Sequence, residues 1–211
     1  MITIVDYGLG NPASIENMLR RASVPCEVTR DLAQIAKATK LILPGVGAFD
    51  TGMSELRRRG IAELLSERVL VDKIPVLGIC LGAQLMTRGS EEGSLPGLGW
   101  VGIDTVKFFK RTFIPNMRVP HMAWNDIQVL RPNALLKQSI ERRFYFVHSY
   151  HFMCDDGSDA IAETTYGYKF VAAFNRDNIY GVQFHPEKSH RYGLELLQAF
   201  ASIVTPPCAR A

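Results

Sequence analysis

The stretch Val76-Leu77-Gly78-Ile79-Cys80-Leu81-Gly82-Ala83-Gln84 constrains this chain more than any other. Residues 76–79 are apolar or small and read as a buried strand. Leu81, Leu85 and Met86, set against Gln84, Thr87 and Arg88, read as a helix over 81–88. Cys80 therefore falls at a strand-to-helix corner. Gly78 and Gly82, two residues to either side, are expected to let the backbone turn sharply and a substrate approach closely. A side chain at that corner stands at the carboxyl end of a strand, beside the free N–H groups and positive end of a helix, and both features favour a thiolate over a thiol. A cysteine by itself is more often a small buried core residue, so Cys80 needs a base elsewhere to be more than that.

A base stands far downstream. Over Ile179-Tyr180-Gly181-Val182-Gln183-Phe184-His185-Pro186-Glu187 a strand ends on a histidine. Pro186 pushes His185 out of the helical region. In an extended segment residues i and i+2 face the same way, so Glu187 is expected to reach the imidazole and fix its tautomer. A lone His-Pro-Glu is more often a surface turn. With a cysteine elbow it completes a set of nucleophile, base and orienter in Cys80, His185 and Glu187.

With 211 residues, 47% of them hydrophobic and 21% charged, the chain suits one globular domain with a single sizeable core. Residues 1–204 are expected to form it and 205–211 a frayed tail. The 24 basic and 21 acidic residues are interspersed and leave a formal charge of +3, which gives no reason to expect nucleic acid or an anionic membrane as partner. Apolar runs such as 74–81 fall short of the ~20 residues of a spanning helix, and the start lacks a basic leader, so a cytoplasmic protein is expected. Cys26, Cys80, Cys154 and Cys208 lie far apart without paired spacing, which argues against a zinc site or a disulfide framework. No metal or organic cofactor is implied.

Residues 1–5 read as a buried strand and Asp6-Tyr7-Gly8-Leu9-Gly10 as a turn. Asn11 then serves as N-cap with Pro12 at the first helical position, and Ile15, Met18, Leu19 and Ala22 recur at helical spacing. Strand, glycine turn and helix open an α/β domain. The Gly-Leu-Gly is no dinucleotide fingerprint, because its third glycine would fall at Ala13. Strands at 25–29 and 41–43 flank a short helix at 31–38 capped by Asp31. The loop Pro44-Gly45-Val46-Gly47-Ala48-Phe49 follows, and its bare N–H groups, with that of Leu81, can furnish an oxyanion hole. Helices are expected at 52–59 and 61–71. After a loop at 90–99, strands are expected at 101–109, 124–130, 144–153, 160–165, 170–175 and 179–184, mostly antiparallel, and a closing helix at 189–203.

The fold class is thus α/β, a doubly wound, mostly parallel sheet with an antiparallel β-rich second half. Such a sheet places its site at the carboxyl ends of its parallel strands. The turn after the first strand, the 44–49 loop, the Cys80 elbow and the end of the His185 strand all meet that rule. Gln84, four residues after Cys80 on the same helix face, is placed to hydrogen-bond a polar substrate held over the sulfur.

The chain resembles the class I glutamine amidotransferase family, with its flavodoxin-like fold. Gly78-Ile79-Cys80-Leu81-Gly82 and His185-Pro186-Glu187 match its catalytic motifs. Within the family it is most similar to the glutaminase subunits of imidazole glycerol phosphate synthases, through Asp6-Tyr7-Gly8 with Asn11, the 44–49 loop, Pro120-His121-Met122-Ala123-Trp124-Asn125, the 144–150 stretch and His185-Pro186-Glu187-Lys188-Ser189. The resemblance implies L-glutamine as substrate, with Cys80 as nucleophile, His185 as base and Glu187 as its orienter. It also implies Leu81, Val46 and Gly47 as oxyanion donors and Gln84 as a substrate contact. It implies a heterodimer with a (β/α)₈ cyclase subunit that accepts the ammonia, docked over Asn11, Tyr145 and Lys188. It gives neither His121 nor His148 a chemical role. Ala83 and Ala123 depart from the residues common in that subunit, and Phe49-Asp50-Thr51-Gly52 and Ser189-His190-Arg191-Tyr192-Gly193 look more like a paralogous branch that supplies ammonia for amidino-modified surface sugars.

Overall fold

In this computed structural model residues 1–108, 117–137 and 142–204 are described. The expected strand end at Phe109, the frayed tail at 205–211 and Cys208 lie outside them. The first half runs β1 (Ile2–Val5), α1 (Pro12–Arg21), β2 (Cys26–Thr29), α2 (Leu32–Ala36), β3 (Leu41–Leu43), α3 (Phe49–Arg58), α4 (Ile61–Ser66), β4 (Val76–Ile79) and α5 (Leu81–Leu85). The second runs β5 (Ile103–Lys107), β6 (His121–Val129), β7 (Arg142–His148), β8 (Tyr150–Cys154), β9 (Ala160–Tyr166), β10 (Tyr168–Arg176), β11 (Ile179–Val182) and α6 (His190–Ser202).

One sheet carries both halves. Its main order is β2-β1-β3-β4-β11-β10-β9-β6-β7, with β8 pairing β10 and β5 off that path. The pairs from β2 to β11 are parallel, and β1, β3, β4 and β11 are buried along their whole length, as strands covered by helices on both faces must be. That parallel order is the flavodoxin-like one. One core face gathers Ile2, Ile4, Ile15, Leu19, Leu197 and Phe200 under α1 and α6. The other gathers Val5, Leu41, Leu43, Phe49, Leu56 and Leu65 under α2, α3 and α4.

The helix starts follow the expected chemistry. Asn11 Oδ1 accepts from Ser14 N, and Asp31 Oδ1 accepts from Ala33 N. Four expectations are corrected. The segment 144–153 is two strands, because β7 pairs β6 while β8 turns away at Ser149 to pair β5 and β10. The helix after Cys80 stops at Leu85 rather than reaching 88, since the carbonyls of Leu85 and Met86 accept from Leu98 N and Trp100 N, and the Thr87 hydroxyl takes that of Gln84. The helix expected at 52–59 begins at Phe49, and that at 61–71 ends at Ser66 and widens into a π-helical turn at Glu67–Val71.

No helix among the described residues is long and apolar enough to cross a membrane.

Candidate active site

Cys80 holds the corner between β4 and α5 with φ 51° and ψ −112°, a left-handed conformation that costs a non-glycine residue roughly 1–3 kcal/mol. Its N–H donates to Val182 O at 2.8 Å, which ties the corner to β11. The strain sits on the cysteine itself. Gly78 and Gly82, expected to make the turn, instead permit close packing. A Cβ at Gly78 would lie 2.6 Å from Ala83 Cα, and one at Gly82 would lie 1.9 Å from Leu43 O. The two glycines press α5 onto β4 and β3 so that the cysteine is the residue forced outward. Cys80 is still 7% exposed.

Just past the end of β11 the chain brings His185 and Glu187 together, with Nδ1 2.7 Å from Oε1 and both side chains almost wholly buried. His185 is extended, as Pro186 requires, but Pro186–Lys188 form one turn of 3₁₀-helix. The carboxylate therefore reaches the ring by curling back, not by sharing a face of an extended strand. Burial works against a charged imidazole here. The negative charge available on the Cys80 sulfur and the Glu187 carboxylate outweigh it and bring the His185 pKa up to about 10. Nε2, the nitrogen left for the sulfur, has no partner at hydrogen-bond geometry, so its coupling to Cys80 is mainly electrostatic. The backbone around the ring is fixed on three sides. His185 N donates to Tyr145 O, Ser189 Oγ donates to His185 O at 2.6 Å, and Tyr145 N donates to Ser189 Oγ at 3.0 Å.

The 44–49 loop leaves β3 beside the corner. The Tyr7 hydroxyl donates to Pro44 O at 2.8 Å. Burial first, and then the charge on Cys80, push the Tyr7 phenol well above its usual pKa, so it remains a donor. Gly45 lies where a Cβ would be 2.5 Å from Gly82 N, and Gly47 has φ +131°. The loop therefore passes hard against the first turn of α5, and Val46, Gly47 and Leu81 share one cleft of about 250 Å³ with Cys80, Gln84 and His185. Two clefts of about 500 and 510 Å³ lie elsewhere, over the carboxyl end of α6 and its neighbours, and neither is lined by a cysteine or a histidine.

Gln84 is buried and donates to Gln183 Oε1 at 3.1 Å, and Gln183 Nε2 lies 3.6 Å from Cys80 Sγ. The second glutamine was legible only as a polar residue in an apolar strand. Glu92, Ser149 and Tyr150 also line the cleft. No spacing signal points to them, because contacts 12, 69 and 70 residues from Cys80 have no period. Among the described residues no group of three or more His, Cys, Asp or Glu is placed to hold a metal ion.

Lys188 Nζ lies over the Tyr145 ring, 5.6 Å from its centroid. Trp124 packs edge-on to the same tyrosine and lies flat on His190 at an interplanar angle of 7°. Tyr145 and Lys188 are thus together on one surface, joined by Trp124, which spacing did not single out. Asn11 is spent in part on capping α1. It follows Gly10, whose Cβ position would lie 3.0 Å from Gly45 N.

His121 and His148 form a buried pair, with His121 Nδ1 3.0 Å from His148 Nε2 and His148 Nδ1 2.7 Å from Tyr150 O. A carbonyl only accepts, so His148 carries its proton on Nδ1 and His121 donates from its own Nδ1. Both rings are held neutral by burial, His121 with its pKa lowered to about 4 and His148 lowered well below the ordinary value.

Residues 3–203 match the family described as Glutamine amidotransferase class-I. Over 97% of its length the chain is 46% identical to the whole of "Imidazole glycerol phosphate synthase subunit HisH 2" of Pseudomonas aeruginosa. It is 48% identical to the protein of the same name from Methanococcus maripaludis, over 95% of this chain and 98% of that one. Among solved structures, a putative GMP synthase subunit from Thermoplasma acidophilum superimposes with a TM-score of 0.70 at 20% identity, covering 95% of this chain and 91% of that one, a likeness of fold. The chain belongs to the class I glutamine amidotransferase family.

Proposed function

We propose that this chain is the glutaminase subunit of an imidazole glycerol phosphate synthase, a cytoplasmic enzyme that hydrolyses L-glutamine and passes the ammonia to a (β/α)₈ cyclase subunit. The observation that carries the chemistry is the convergence of Cys80, the buried His185–Glu187 pair and the 44–49 loop on one cleft. The relatives' names and the coverage of both chains support the pathway.

His185 holds the proton of the Cys80 thiol, and the sulfur attacks the carboxamide carbon of glutamine. The oxyanion that forms is met by the N–H groups of Leu81 and of the Val46-Gly47 turn, each such donor being worth ~3 kcal/mol in comparable sites. His185 gives its proton to the departing nitrogen, ammonia leaves, and a γ-glutamyl thioester remains. Water then attacks the thioester with His185 as base, and glutamate and the thiol are released. Glu187 holds the imidazole in place and stabilises its charged form. Glu92, at the cleft wall, supplies a carboxylate for the substrate's α-ammonium group, and Gln84 with Gln183 bounds the sulfur side. Tyr145 and Lys188, with Asn11 beside the Gly10 that packs on the 44–49 loop, are the residues proposed to meet the cyclase.

Glutamate release by the purified chain, alone and with a barrel cyclase and its nucleotide substrate, tests the assignment. A low rate alone, raised many-fold by the liganded cyclase, is the expected result. Hydrolysis without any response to that nucleotide would overturn the pathway and move the acceptor to the branch that modifies surface sugars.

A further inference from the structure

Asp50 lies in the first turn of α3, two residues beyond the 44–48 segment, and its carboxylate reaches across 44 residues of sequence to a second loop. Oδ1 accepts from Leu95 N at 3.0 Å and from Ser94 N at 3.1 Å, while Oδ2 accepts from Ser94 N at 2.9 Å and from Ser94 Oγ at 3.1 Å. Those backbone N–H groups hold the Asp50 carboxyl below the usual carboxylate range. The fit leaves no space for a side chain on the loop, since a Cβ at Gly93 would fall 1.9 Å from Oδ1. Between these contacts sits Glu92, and it returns the contact, its Oε2 accepting from Phe49 N at 3.0 Å. The near side of the same loop is tied to β5, where Glu91 N donates to Thr105 O at 2.9 Å.

Glu92 is therefore held from both sides. One of its carboxylate oxygens is spent on the backbone of α3, and it stands in the cleft wall with Val46, Gly47 and Cys80. We infer that Asp50 is a positioning residue, a clamp that joins the start of α3 to the 93–95 loop and so sets the distance between Glu92, which takes the α-ammonium group of glutamine, and the sulfur and oxyanion donors that take its carboxamide. This rests on the proposed glutaminase reading. The physical reason is orientation. A substrate gripped at one end by Glu92 presents its other end correctly only if the two loops keep one spacing. Although Pro96 O also accepts from Arg57 of α3 and Gly97 N donates to Arg88 O, both at 2.8 Å, the Asp50 contacts are the ones next to Glu92.

The test is the kinetics of Asp50→Ala, Asp50→Glu and Gly93→Ala, each in the full chain, together with calorimetric binding of L-glutamate, which carries the same α-ammonium group. Asp50→Glu keeps the charge but adds a methylene where Gly93 leaves no room, and Gly93→Ala breaks the contact with Asp50 intact. All three are expected to raise KM for glutamine and weaken glutamate binding about tenfold or more while kcat changes about twofold or less, a split that separates lost substrate grip from lost chemistry. Faster hydrogen exchange at Ser94 and Leu95 should accompany it. Unchanged KM in Asp50→Ala and Gly93→Ala overturns the clamp while the glutaminase reading stands, as does rescue of KM by Asp50→Glu. A wild-type chain that neither hydrolyses glutamine nor binds glutamate would instead remove the reading beneath it, and this role of Asp50 with it.

Discussion

His185 Nδ1 and Glu187 Oε1 stand 2.7 Å apart, with both side chains closed off from water. A carboxylate buried against an imidazole makes sense only while the ring is charged or donating. The raised pKa of His185, about 10, owed to the Cys80 sulfur first and Glu187 second, means that the charged ring among these two groups contributes its full stability below the ordinary histidine value near 6.5 and loses it as the pH climbs through about 10. Glu187→Gln keeps the shape and removes the charge. Glutamine hydrolysis should fall by on the order of a hundred- to ten-thousandfold, as when a triad carboxylate is made neutral elsewhere. A steady-state rate within tenfold of wild type would show that Glu187 does not orient the base.

Tyr7 offers a quieter change. Its hydroxyl is buried and bonded to Pro44 O, so Tyr7→Phe leaves the volume intact and one carbonyl unsatisfied. The cost to stability is expected to be ~1–3 kcal/mol, readable from urea midpoints. The loosened 44–49 loop should lower kcat by about tenfold. Lost stability with unchanged kcat would mean that the loop does not depend on this bond.

The His121–His148 pair makes the fold sensitive to acid rather than to base. An unfolded chain takes up these protons near pH 6.5, whereas the folded one refuses them until about pH 4 at His121 and lower at His148. Stability should thus be intact above about 6.5 and fall as the pH drops from there toward 4. Imidazole NMR is the direct check, with both rings protonated on Nδ1 and neither titrating above pH 5. A His121 ring that titrates near 6.5 would contradict the buried neutral pair.

Much of the site could be read in advance because it is local. A strand followed by Gly-x-Cys-x-Gly gives its own corner, Asn11 before Pro12 gives its own cap, and the identities of His185 and Glu187 stand two residues apart. What could not be read depends on partners distant in sequence. Whether the 81–88 segment stays helical is decided by Leu98 and Trp100 taking its carbonyls. Whether 144–153 is one strand or two is decided by which neighbours flank Ser149. Gln183 beside Cys80, and Asp50 holding the 93–95 loop, are meetings across 103 and 44 residues that no periodicity announces. The turn-making expected of Gly78 and Gly82 was corrected for a related reason, since close packing and turn formation both call for glycine and only the tertiary structure tells them apart.

The most direct measurement is the initial rate of glutamate release by the chain in complex with the proposed cyclase subunit and its nucleotide, wild type against Cys80→Ala. The alanine sits on the same strained corner without the sulfur, so the complex should form as before while hydrolysis falls ~10³-fold or more. Glutamate release within tenfold of wild type from an intact Cys80→Ala complex would remove the cysteine from the mechanism and contradict the account.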